Sequence, residues 1–187
     1  NSSLLNLKNE VAIIARAQDH PDICFTPFSQ EELVLIMGVN HPFVQRNEVS
    51  LEEIAREPII MKQTGSGTRT IIDQLFIQNR CTPNILMETG NTELIKDLVQ
   101  KGEGLSFLVK PSVNIELMEN KLATVPLSGQ KIFLKVSIAY LKNQILSNTA
   151  RAFVDILLHL APKDGPLQDI ATLSSKLSAE NTYYASI

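Results

Sequence analysis

Residues Lys62–Arg69 read KQTGSGTR and combine two glycines with three small hydroxyl residues. The stretch lies between a short apolar run and an amphipathic one, so it predicts a loop that leads from a strand into a helix. Glycine lets the backbone approach a ligand closely, and the N–H groups at a helix start attract anions and carbonyl groups. The same pattern also fits a helix cap formed by Ser66 or Thr68, and both interpretations stay open on the residues alone. The candidate ligand residues are Thr64, Gly65, Ser66, Gly67 and Thr68.

This loop does not follow either of the common phosphate-binding patterns. A P-loop needs GxxxxGK followed by Ser or Thr, and in a GxGxxG fingerprint the third glycine would stand where this chain has Thr70. The loop is therefore expected to hold an anion or a carbonyl group, although it is neither a P-loop nor a dinucleotide fingerprint.

Two further candidates lie where other predicted strands end. Thr89-Gly90-Asn91-Thr92 joins a strand to a helix, and Asn91 and Thr92 are its candidate ligand residues, although the pattern favours a helix cap. Arg16 directly follows the apolar run EVAIIA, so its guanidinium is expected at the carboxyl end of a strand, where open α/β sheets bind ligands. A solvated surface arginine is the alternative.

The sequence does not favour catalysis or a metal site. No Ser, His and Asp set or carboxylate pair is recognisable, and the loop at Thr64–Thr68 lacks a neighbouring general base for a transferase mechanism. The three histidines stand apart, without a second metal-type ligand at helical spacing. We therefore expect no enzyme activity, no cofactor and no metal.

The composition is that of an acidic globular protein, with a formal net charge of -3 and a sequence pI of about 5.6. A domain that grips DNA phosphates is usually basic, so we expect no direct DNA contact by these residues. No apolar stretch approaches the length of a membrane span, and we expect no membrane partner. Cys24 and Cys81 lack a paired spacing and suit a reducing cytoplasm.

The hydrophobic periodicity predicts alternating strands and helices. The helices 68–78 and 91–101 each carry an apolar stripe, formed by Ile71, Ile72, Leu75 and Phe76 and by Leu94, Ile95, Leu98 and Val99. The last helix should bury Ala150, Phe153, Leu157 and Leu160. Strand and helix alternation from Pro58 argues for an open parallel sheet. The predicted strands are 10–15, 23–28, 33–39, 59–62, 84–88, 105–109 and 132–141, and the predicted helices are 50–56, 68–78, 91–101 and 147–160.

Four sequence blocks resemble a known family in their order and spacing. They are EELVLIMGVNHPF, SLEEIAREPIIMKQTGSGTR, ETGNTELIKDLVQKGEGLSFLVKPSV and NTARAFVDILL. Together they look like consecutive parts of the effector-binding domain of LysR-type transcription regulators. The resemblance spans about Asn6 to Leu160.

The resemblance implies an α/β fold with two Rossmann-like lobes of the periplasmic-binding-protein type II kind, the first lobe being incomplete in this chain. Residues 1–57 would form the rest of the first lobe and a crossover, and 58–132 the second lobe. Residues 133–162 would form the return crossover and the last helix, followed by a polar tail at 163–187. An inducer would lie between the lobes, with Thr64–Thr68 on the second lobe and Arg16 near the hinge.

The resemblance also implies the partners. A small anionic effector is expected, with assembly into a homodimer or homotetramer. DNA would be bound only through a helix-turn-helix domain that these residues do not include. The alternative from another class is a solute-binding protein of an import system, which shares the fold.

Overall fold

A computed structural model describes residues 2–6, 8–15 and 20–160. Arg16 and the predicted polar tail at 163–187 lie outside the described residues. The chain forms two compact units, Asn1–Glu31 with Lys135–Ile187 and Glu32–Leu134. It passes from one unit to the other twice, each time within a strand.

The described residues form six α-helices and seven strands. The helices are α1 Ser2–Leu5, α2 Leu51–Ile54, α3 Gly67–Gln78, α4 Thr92–Gln100, α5 Asn114–Met118 and α6 Asn148–Leu160. The strands are β1 Val11–Ala15, β2 Ile23–Gly38, β3 Pro58–Lys62, β4 Asn84–Thr89, β5 Ser106–Val109, β6 Leu122–Thr124 and β7 Ile132–Leu141.

In the first unit, β7 lies between β1 and β2, and β1 pairs with it antiparallel from Val11↔Tyr140 to Ala15↔Val136. The uninterrupted apolar run EVAIIA predicts a strand that is buried on both faces, and this prediction is wrong, since Ile13 of β1 is exposed. The predicted inner face of α6 is also partly wrong. Val154 and Leu157 are buried against β7, whereas Phe153 is exposed because it lies one position off the stripe.

The prediction of two strands at 23–28 and 33–39 is wrong, because β2 runs without interruption from Ile23 to Gly38. Pro27 and the polar residues Ser29–Glu32 interrupt the apolar pattern, which predicts a break between two strands. Ser29 and Glu31 are instead buried within β2, where the Ser29 hydroxyl donates a hydrogen bond of 3.2 Å to Glu31. Polar residues that bond to each other can therefore continue a strand.

The second unit contains the predicted parallel strands. β3 and β4 pair parallel, and Ile59 forms a parallel bridge with Leu105 just before β5. β5 and β6 both pair antiparallel with β2, so the complete set of strands is mixed rather than purely parallel. Because β3 and β4 are parallel, the loops that follow them emerge at the same edge.

Two helices cover these strands, and most of their predicted stripes are confirmed, but the prediction is wrong for Leu94 of α4, which is exposed. Ile72, Leu75 and Phe76 of α3 are buried, and so are Ile95 and Val99 of α4. The spacing of Ser50 and Glu53 is that of a capping box, and the two residues do exchange hydrogen bonds with each other's backbone N–H groups at the start of α2. α5, β6 and two 3-10 turns at Pro42–Gln45 and Lys110–Val113 were not predicted, because three to five residues show no clear periodicity. Within the described ranges, no helix is both long and apolar enough to cross a membrane.

Candidate ligand-binding site

The β3–α3 loop holds the first group of candidate residues. Gly65 adopts a φ of 90°, a conformation that L side chains rarely take, so the turn needs glycine there. Ser66 is the N-cap of α3, and its hydroxyl accepts a hydrogen bond of 3.1 Å from the N–H of Arg69. The helix-cap interpretation is therefore confirmed for Ser66.

Thr68 differs from Ser66 in what its hydroxyl does. It lies in the first turn of α3 and is half-buried. Within the described part of the chain, its hydroxyl makes no hydrogen bond. A half-buried hydroxyl that the fold does not use remains available to a ligand.

The β4–α4 loop is built in a similar way. Asn91 is the N-cap of α4, and its side-chain oxygen accepts hydrogen bonds of 3.0 and 3.2 Å from the N–H groups of Glu93 and Leu94. The hydroxyl of Thr89 accepts a bond of 3.2 Å from the N–H of Asn91. The favoured cap interpretation is thus confirmed for Asn91.

Lys62 connects the two loops. It is the last residue of β3, and its ammonium group donates to the carbonyl of Gly90 at 2.8 Å and to the Thr92 hydroxyl at 2.9 Å. Nearby, the N–H of Gln63 donates to the carbonyl of Thr89 at 3.0 Å. The starts of α3 and α4 are therefore neighbours at the same edge of the parallel strands β3 and β4.

Among the described residues, no carboxylate balances the charge of Lys62. In residues 20–160, Lys62 has no ion pair, and burial lowers the pKa of its ammonium group. Both of its acceptors are neutral oxygens. A positive charge thus stands between two helix starts, where the N–H groups add further positive potential.

Arg69, the other cation of the loop, is fully engaged. Its side chain is 11% exposed and contacts Asp73 and Glu88, each at 2.8 Å. It also donates to the carbonyl of Lys62 at 3.2 Å. Burial lowers the pKa of Arg69, but the bonds to these two carboxylates outweigh that effect and raise it. Arg69 therefore fixes α3 to β3 and β4, and it holds no spare charge for a ligand.

The interpretation from sequence missed the role of Lys62. Its type and its place at the end of β3 were visible, but its two acceptors lie 28 and 30 residues away. The described residues contain no group of three or more His, Cys, Asp or Glu that could hold a metal ion.

The geometry can be compared with known proteins. The model of the family described as the LysR substrate binding domain matches residues 3–162. The chain belongs to this family. The transcriptional activator CmpR of Synechocystis sp. is 33% identical over 154 residues, which cover 82% of this chain and 51% of CmpR. The chain thus spans about half the length of the curated relatives it matches.

Solved structures of LysR regulatory domains resemble the chain over most of its length. The effector-binding domain of QuiR in complex with shikimate has a TM-score of 0.76 and 28% identity, and the match covers 84% of this chain and 74% of that one. The regulatory domain of CcmR from Synechocystis in complex with 2-PG has a TM-score of 0.79 and 25% identity, with coverages of 88% and 79%. The predicted periplasmic-binding-protein-like α/β fold is confirmed.

Proposed function

We propose that this chain is the effector-sensing part of a DNA-binding LysR-type transcription regulator and that its two neighbouring loops hold a small anion. Lys62 carries the proposal, because its charge lacks a carboxylate partner in the described residues and lies between the starts of α3 and α4. An anionic group placed there would accept hydrogen bonds from backbone N–H groups and from the free hydroxyl of Thr68.

The remaining candidate residues have different roles in this proposal: some contact the ligand and others hold the helix starts. Thr64, Gly65 and Gly67 supply backbone and hydroxyl groups, and Thr92 shares Lys62 with the ligand. Ser66 and Asn91 hold the helix starts in place, since their side chains already serve as caps. Arg16 is included because it follows the apolar run EVAIIA and because the family resemblance places it near the hinge.

The names of the relatives support a sensing role. QuiR and CcmR are described with shikimate and 2-PG bound, and CmpR is a transcriptional activator. These relatives are regulators, which favours a regulator over the solute-binding protein of an import system. We place the protein in the cytoplasm, with DNA bound by a helix-turn-helix domain beyond these residues.

Self-association is part of the same proposal. β4 pairs only with β3 among the described strands, and it exposes Ile85, Leu86 and Met87 in succession. Ile77 near the end of α3 is also exposed. An edge strand with such residues tends to be covered by another chain. We propose that α3 and β4 form a contact between two copies.

Sulfate binding by the full chain, measured by calorimetry, tests the anion site. Lys62→Met should weaken sulfate binding about ten-fold or more, because a charge-assisted contact is lost. Thr68→Val should weaken it about 5- to 30-fold, the effect of one hydrogen bond to a charged group, and should leave thermal stability unchanged. Lys101→Met, at the other end of α4, is the matched control. Equal affinity of Lys62→Met and wild type would show that the anion binds elsewhere.

A further inference from the structure

The second unit contains a concavity of about 570 Å³ that is separate from the two loops. The first residues of β2 in this unit line one side, and the connection between β6 and β7 lines the other. Val125, Leu127 and Ile132 give the concavity an apolar interior. No residue of Lys62–Thr68 or Thr89–Thr92 lines it. Its volume is in the range that proteins use for small molecules.

The wall formed by the β6–β7 connection is fixed to the rest of the unit. The N–H of Val49 donates to the carbonyl of Pro126 at 3.0 Å, and the N–H of Ser128 donates to the carbonyl of Val49 at 2.9 Å. Val125 and Ile132 are buried at the two ends of this connection. The concavity therefore exists before a ligand arrives, which reduces the entropy cost of binding.

Three charged side chains line the concavity, and their charges do not cancel. Glu32 is shared by two lysines, with Oε2 at 3.3 Å from Nζ of Lys110 and Oε1 at 3.3 Å from Nζ of Lys131. Two positive charges thus face one negative charge. One additional carboxylate would neutralise the net positive charge of these three side chains, whereas a neutral ligand would leave that charge in place.

We propose that this concavity is a second ligand site, which takes a small molecule with an apolar body and one carboxylate. The apolar body lies against Val125, Leu127 and Ile132, and the carboxylate contacts Lys110 and Lys131 in competition with Glu32. The proposal goes beyond the anion site at Lys62 and does not depend on it.

The probe is 2-naphthoate, and its uncharged counterpart 2-naphthylmethanol separates the carboxylate contribution from apolar contact. Binding to the full chain is followed by methyl NMR of the valine, leucine and isoleucine residues and quantified by calorimetry. The double variant Lys110→Met/Lys131→Met should weaken 2-naphthoate binding about ten-fold or more, while binding of 2-naphthylmethanol should not change. Both lysines are more than half exposed, so the double variant should fold normally.

Glu32→Gln should change the affinity for 2-naphthoate in the opposite direction. It removes the internal competitor for the two lysines, so 2-naphthoate should bind several-fold more tightly. Lys101→Met, which changes an exposed lysine away from the concavity, should bind the probe like the wild type. Shifts of the Val125, Leu127 and Ile132 methyl signals together with both affinity changes would support the proposal. It is overturned if the probe fails to bind, if the double variant binds normally, or if the shifts occur at the α3 start instead.

Discussion

Lys96→Met should destabilise the protein by about 3 kcal/mol, because it leaves a buried carboxylate without its partner. The side chain of Lys96 is 11% exposed and contacts Glu116 at 2.7 Å and Glu93 at 3.0 Å. Glu93 is 78% exposed, so its contact contributes only about 0.3 kcal/mol. Glu116 is 17% exposed, and its second oxygen is buried without a hydrogen-bond partner in the described residues.

The expected loss of stability follows from the difference in exposure between Glu93 and Glu116. Removing one member of a buried ion pair costs about 3–5 kcal/mol, and the lower end applies because Glu116 keeps some contact with water. Unfolding in urea, followed by circular dichroism, measures the free energy of unfolding directly. Lys101→Met, an exposed lysine of the same helix, should cost less than about 1 kcal/mol. A cost below about 1 kcal/mol for Lys96→Met would refute the argument.

The pH dependence of the free energy of unfolding distinguishes this explanation from a simple loss of packing. The hydrogen bond from Lys96 holds the pKa of Glu116 below its usual range, so its stabilising effect is present near neutral pH and is lost as the pH falls through that lowered pKa. Without Lys96, burial raises the pKa of Glu116, and the carboxyl takes up a proton at a higher pH. The difference between variant and wild type should therefore shrink as the pH falls from 7 towards 4. The double variant Lys96→Met/Glu116→Leu should recover most of the lost stability.

Two further predictions concern the cap of α3 and the edge of β4. Ser66→Ala should lower the free energy of unfolding by about 1 kcal/mol, since α3 loses its N-cap, and a urea curve like that of the wild type would contradict the cap role. On the proposal that two copies pair through β4, the wild type should sediment as a dimer at about 100 μM and Leu86→Lys as a monomer, because a charge on this edge opposes pairing with a second copy. Thr82→Lys, outside the strand, is the control, and a dimer that survives Leu86→Lys would exclude the β4 contact.

Local patterns predicted most of the secondary structure. The apolar stripe of α3 and the bounds of β7 follow from the sequence, because regular periodicity over ten or more residues has few alternatives. The polar residues Ser29 and Glu31 predict a break in β2, but both are buried within it and share a hydrogen bond. Local hydrophobicity cannot reveal such a pair before the surroundings are known.

The candidate site was predictable in position but not in its division of roles. The small residues at Thr64–Thr68 marked the correct strand-to-helix junction. Which hydroxyl caps the helix and which stays free depends on the backbone angles, and these place Ser66 rather than Thr68 at the N-cap. Lys62 gains its importance from Gly90 and Thr92, and a contact across so many residues leaves no local pattern.

The division of the chain into units has a consequence for its synthesis on the ribosome. The second unit is continuous and complete once Leu134 has emerged, whereas the first unit combines both ends of the chain. Phe28 packs with Val136 and Val154, and β1 pairs with β7. The first strands of the first unit therefore have no partners until much later residues have been synthesised. Domains generally fold as units during translation. The second unit can therefore fold while the nascent first-unit strands are still unpaired, and these strands are the segments that chaperones would need to protect.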